Sequence, residues 1–134
     1  MHRRIILLGL LLALAACGEA DIKGQLVGSW QNEAGTLTVT YTPAGEVYIS
    51  GLKYVDCYTV SGDTVTIRSF KDRPPPATMA VAFTGADKLT TTNSDGSNPR
   101  VFRRLNSTGA LDSKGQAAKD AQVFDAAYTP CAKP

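Results

Sequence analysis

Acid–base and nucleophilic catalysis depend on side chains that this chain supplies sparingly. Its one histidine is His2, and its three cysteines are Cys17, Cys57 and Cys131. A catalytic thiol needs a base beside it, and a structural zinc site needs four thiolate, imidazole or carboxylate ligands. A carboxylate pair is formally possible among Glu33, Glu46, Asp56 and Asp63. Such pairs work when their surroundings push the two acidities apart, and sequence spacing assembles no such pair here. No glycine-rich loop leads from a strand into a helix, so nothing supports nucleotide binding. The residues imply no enzyme, no metal and no cofactor.

The N-terminus has a different chemistry. His2-Arg3-Arg4 is a basic start, and Ile5 to Leu14 is an apolar run broken only by Gly9. Coiled as a helix, that run rises about 15 Å, half the hydrocarbon thickness of a bilayer, so it is too short to span one. A basic stretch, a short apolar stretch and small residues before a cut form a secretory signal, residues 1–16. Removing it removes His2, and with it Ser-His-Asp or Cys-His catalysis and His-based zinc sites. Leu14-Ala15-Ala16-Cys17 resembles the lipobox of bacterial lipoproteins. That resemblance implies cleavage before Cys17, diacylation of its thiol and acylation of the new amine. Two or more fatty acyl chains give a stable anchor where one gives only marginal binding. An ordinary cleaved signal with an incidental cysteine is the alternative. Gly18, where inner-membrane lipoproteins often carry Asp, points within that family to the outer membrane, facing the periplasm. Residues 17–25 then read as the lipidated cysteine and a polar tether.

Losing Arg3 and Arg4 takes the fourteen basic residues to twelve, equal to the twelve acidic ones. A neutral domain has no general electrostatic reason to bind nucleic acid or an anionic surface, so the lipid carries the membrane attachment. In an oxidising compartment Cys57 and Cys131 pair with each other, or remain two free or buried thiols. Closing a loop of about 75 residues would contribute roughly 4 kcal/mol on the chain-entropy account.

From Leu26 the pattern is β. Gly28-Ser29-Trp30-Gln31 opens it, and 36–41 alternates strictly, with Leu37, Val39 and Tyr41 on one face and threonines on the other. Further strands read at 46–50, 53–60, 64–68, 77–83, 88–92 and 100–105. Turns lie at Pro43-Ala44-Gly45, Ser61-Gly62-Asp63, Gly85-Ala86-Asp87 and Asp95-Gly96, and Lys71 to Pro76 interrupts pairing. About eight short strands with turns every 8–12 residues predict an all-β domain over 26–105, an antiparallel meander closed as a barrel or packed as a sandwich. In 106–134 an alanine-rich stretch predicts a short C-terminal helix that clusters Val123, Phe124, Ala127 and Tyr128, with Pro130 stopping it.

Gly28-Ser29-Trp30 resembles the Gly-x-Trp opening of lipocalins and their relatives. The resemblance covers about Leu26 to Leu105 and implies an eight-stranded meander barrel with the tryptophan across its bottom and an arginine from a late strand packed on it; Arg103 and Arg104 are the two choices. It also implies a small apolar ligand. A barrel this small tends instead to be filled by its own side chains, here Trp30, Leu37, Val39, Tyr41, Val65, Ile67, Met79, Val81 and Phe83. An apolar cavity of at least about 300 Å³ would favour a ligand, and a filled interior a protein partner in the envelope. Tyr48, Tyr54 and Tyr58 either form an interface or cover the barrel, and 71–76 is either a recognised extended segment or a plain connection.

The lipobox reading has a direct consequence. Replacing Cys17 with Ser should move the protein from the membrane fraction to the soluble fraction, and continued membrane association would refute lipid anchoring at this residue.

Overall fold

The computed structural model describes residues 19–69, 75–124 and 131. Its elements in chain order are α1 (Glu19–Leu26), β1 (Gly28–Asn32), β2 (Thr38–Tyr41), β3 (Glu46–Ile49), β4 (Asp56–Ser61), β5 (Thr64–Arg68), β6 (Ala77–Thr84), β7 (Lys88–Asn93), β8 (Arg100–Asn106) and α2 (Ser113–Val123). Each strand pairs antiparallel with the next, and β8 pairs back onto β1, closing the barrel. Of the two architectures that the strand spacing allows, the chain adopts the closed eight-stranded barrel with a short C-terminal helix.

Register follows from the period-two pattern, because a one-residue slip would turn every apolar side chain outward. Trp30 opposes Val39, Val39 opposes Ile49, Tyr58 opposes Ile67, Val65 opposes Met79 and Phe83 opposes Leu89. All of these lie on the inward face. Trp30, Val47, Val65 and Leu26 are wholly buried, and Leu89, Tyr41, Tyr58, Val81, Phe102 and Val39 nearly so. Tyr41 and Tyr58 meet edge to face at 5.1 Å, and the Tyr58 hydroxyl donates to the Thr42 carbonyl at 2.7 Å.

The meander gives the barrel two different ends. At one, α1 enters beside the β2–β3, β4–β5 and β6–β7 turns, with Ile22, Val60 and Phe83 half-buried against the core. At the other, the β1–β2, β3–β4, β5–β6 and β7–β8 connections surround half-buried Leu37, Ile49, Ile67 and Met79. The β1–β2 turn is held by Asn32, whose side-chain oxygen accepts from the backbone N–H groups of Thr36 and Leu37.

Three expectations are corrected. Much of the segment read as a tether is helical, since α1 runs from Glu19 to Leu26. Lys53 to Val55 precede the fourth strand, which begins at Asp56. The C-terminal helix starts at Ser113, with Asp112 as N-cap accepting from the Gly115 N–H at 2.7 Å. It buries Gly115, Ala118 and Gln122, whereas Val123 and Phe124 are exposed. Ala127, Tyr128 and Pro130, and positions 71–74 of the proline-rich connection, lie outside the described residues.

Helix α2 covers the outer face of β3 and the approach to β4. Tyr48, Val55 and Ala118 form a small second core with Leu111. Gly115 lies so close to Tyr48 that an added methyl carbon would stand 2.8 Å from its ring. The Gln122 amide acts as a strand neighbour for Val55, accepting from its N–H and donating to its carbonyl, both at 3.0 Å. The Cys57–Cys131 disulfide then ties the tail to β4.

Candidate functional site

The densest set of directional contacts lies at the end of the barrel that α1 enters. Four backbone carbonyls at a helix C-terminus lack intrahelical partners and must find donors elsewhere. In α1 the Lys23 carbonyl accepts from the Val27 N–H at 3.1 Å. The Leu26 carbonyl takes the indole N–H of Trp30 at 2.8 Å. Arg104 binds two more carbonyls at this end: Nη2 donates to Gln25 O at 2.6 Å, and Nη1 to Val27 O, just past the helix, at 2.9 Å. Its Nε donates to Ala86 O in the β6–β7 turn at 2.8 Å. The guanidinium carbon lies 4.2 Å from the Trp30 ring centroid, so one cation spans a helix end, a hairpin turn and an aromatic face. A positive charge at a helix C-terminus is also favoured by the helix dipole.

The strands place these groups. Trp30 opposes Arg104 across the β1–β8 pairing, whose register shifts between Ser29 and Trp30. Gly28 has φ +141°, and any side chain there would collide with the Asn106 carbonyl and the Arg104 guanidinium. Gly28, Trp30 and Arg104 therefore form one constellation. Arg103, the other candidate, is exposed, and by register it is on the outer face opposite Lys88 and Gln31.

A hollow of about 320 Å³ opens beside this cluster, lined by Gln25, Phe83, Gly85, Ala86 and Arg104. None of the wholly buried core side chains lines it, so it is a depression at the barrel end and not the barrel lumen. Three of the arginine's nitrogens already donate to carbonyls, which leaves it poorly placed to seize an anion.

The four carboxylates do not converge. Glu46 opposes Cys57 while its neighbour Val47 opposes Asp56, so Glu46 and Asp56 occupy opposite faces of the sheet. Glu33 lies in the β1–β2 turn and Asp63 in the β4–β5 turn, at opposite ends of the barrel. Glu46 is bound to Lys119 of α2 at 2.8 Å, an attachment that sequence spacing does not disclose. The tyrosines also separate. Tyr58 lies in the core, Tyr48 lies under α2, and Tyr54 is exposed in the β3–β4 connection. Burial pushes the Tyr58 hydroxyl up to about 12. Burial and then the neighbouring Tyr58 raise Tyr41 well above the ordinary phenol range. Both phenols stay protonated at neutral pH. Among the described residues no group of three or more His, Cys, Asp or Glu side chains is placed to hold a metal ion.

No protein-family model, curated protein or solved structure matches the chain. The lipocalin-like reading of the barrel therefore stands on topology and on the Gly28–Trp30–Arg104 arrangement.

The cluster's coupling is measurable by urea unfolding. Trp30→Ala should cost about 3–5 kcal/mol and Arg104→Ala about 2–3 kcal/mol. The double variant should cost less than the sum, because both residues hold the same helix end. Strict additivity would mean that the two act independently.

Proposed function

We propose that the chain is a lipid-anchored lipoprotein of the bacterial envelope that acts through its outer surface, as a protein–protein interaction module or an accessory or assembly subunit. The filled interior carries this reading: Leu26, Trp30, Val47 and Val65 are wholly buried within one continuous core, which leaves recognition to the exterior. The end away from α1 supports it further. Leu52 and Tyr54 are 48% and 51% exposed there, beside the half-buried Leu37, Ile49, Ile67 and Met79. Aromatic residues and methionine, here Tyr54 and Met79, are enriched at the cores of protein interfaces.

The hollow of about 320 Å³ at the α1 end supports a second reading, binding of a small apolar ligand, since its volume lies at the lower limit of small-molecule sites. One pair of measurements separates the two. A photocrosslinking residue at Leu52, in cells making the lipidated protein, should yield one discrete adduct with an envelope protein. The purified protein should show no saturable change in Trp30 fluorescence with fatty acids. No adduct, together with saturable one-to-one quenching, would replace the interaction module with a carrier.

A further inference from the structure

The position of α1 relative to the lipid-bearing cysteine restricts how the barrel can stand on a membrane. Only Gly18 separates Cys17 from Glu19, the first residue of α1. Two residues span at most about 7 Å even when fully extended. The helix itself does not swing freely. Ile22 and Leu26 pack into the core, Arg104 and Trp30 grip the carbonyls of Gln25, Leu26 and Val27, and the Lys23 ammonium lies 6.0 Å from the Tyr58 ring centroid. Glu19 precedes Ile22 by one helical turn, about 4.5 Å of rise. A residue anchored in the core and the residue carrying the lipid are therefore only about 12 Å apart at full stretch. The headgroup layer between acyl chains and water is itself about 5–8 Å thick on each side.

We propose that the α1 end of the barrel is a membrane-contact face, resting on the headgroups of the bilayer that holds the Cys17 lipid. This inference relies on the lipid anchor of the function proposed above. The face comprises α1, the β2–β3, β4–β5 and β6–β7 turns and the chain just after β8. Its exposed tips are small or apolar: Pro43, Ala44, Gly85, Ala86 and Leu105. Its charges are mixed, with Lys23, Lys88 and Arg103 against Glu19, Asp21, Asp63 and Asp87. That balance neither drives the face from an anionic surface nor draws it there, so the short anchored connection sets the orientation. The hollow lined by Phe83, Gly85 and Ala86 opens on this same face. The opposite end, with Leu52 and Tyr54, then stands about 15 Å above the headgroups, the height of a barrel of such strands at the usual tilt.

The test uses the full lipidated chain in vesicles of phosphatidylethanolamine and phosphatidylglycerol containing headgroup-level nitroxide lipid. A bimane fluorophore is placed at Asp63→Cys in one sample and at Glu33→Cys in another. Bimane at 63 should lose emission to the nitroxide lipid, and bimane at 33 should not. A flexible Gly/Ser insert of about 15 residues after Gly18, with a span of about 20 Å, should abolish the loss at 63 while the protein stays vesicle-bound. Equal quenching at both positions, stronger quenching at 33, or an insert without effect would overturn the orientation. A chain lacking acyl mass and remaining in solution would overturn the anchor, and this placement with it.

Discussion

The fold depends on one arginine. Arg104 ends the β meander by facing Trp30 across the β1–β8 seam, and its guanidinium then binds carbonyls from α1 and from the β6–β7 turn. Without such donors, the last carbonyls of a helix as short as α1 would be left unpaired against an apolar barrel mouth, at a cost of about 1–3 kcal/mol for each buried group. The same contact fixes the residue at position 28, because the guanidinium and the β8 backbone occupy the space that a side chain would need. Closure of the sheet, capping of its end and placement of the N-terminal helix are therefore aspects of one interaction.

A second attachment works on the outside of the barrel. The α2 segment is held by chemically unlike contacts: the Gly115–Tyr48 packing, the Gln122 amide on Val55, the Lys119–Glu46 ion pair and the Cys57–Cys131 bond. Only a small part of this is hydrophobic. Its consequence is asymmetry, since the outer face near β3 and β4 is covered while Thr78, Ala82 and Thr84 of β6 stay exposed. Leu52 and Tyr54 stay exposed at the end opposite α1.

The strands and their inward faces were legible because strict alternation at Leu37, Val39 and Tyr41, or at Met79, Val81 and Phe83, admits one inward face and one register, although alternation alone left barrel and sandwich open. The Gly28–Trp30 opening was legible too, but the choice between Arg103 and Arg104 needed the pairing, which puts only Arg104 on the side of Trp30. Helix α1 was not legible. Glu19 to Leu26 has little amphipathic pattern and contains Gly24, and helices this short form through tertiary contacts more than through propensity; the useful signal was Leu26 just before Gly28. The inner face of α2 was not legible for a related reason. Apolar Val123 and Phe124 are exposed, whereas Gln122 is buried because its amide pairs with both backbone groups of Val55.

The central claim is that the Trp30–Arg104–α1 cluster opens only when the whole barrel opens. Hydrogen exchange of the Trp30 indole N–H, followed by NMR beside the backbone amides of Val47 and Val65, tests it directly. The indole proton should exchange with the same opening free energy as those core amides and shift with them on adding urea. Exchange of the indole well ahead of Val47 and Val65 would show that α1 leaves the barrel end by local opening, and that the cluster does not hold the fold together.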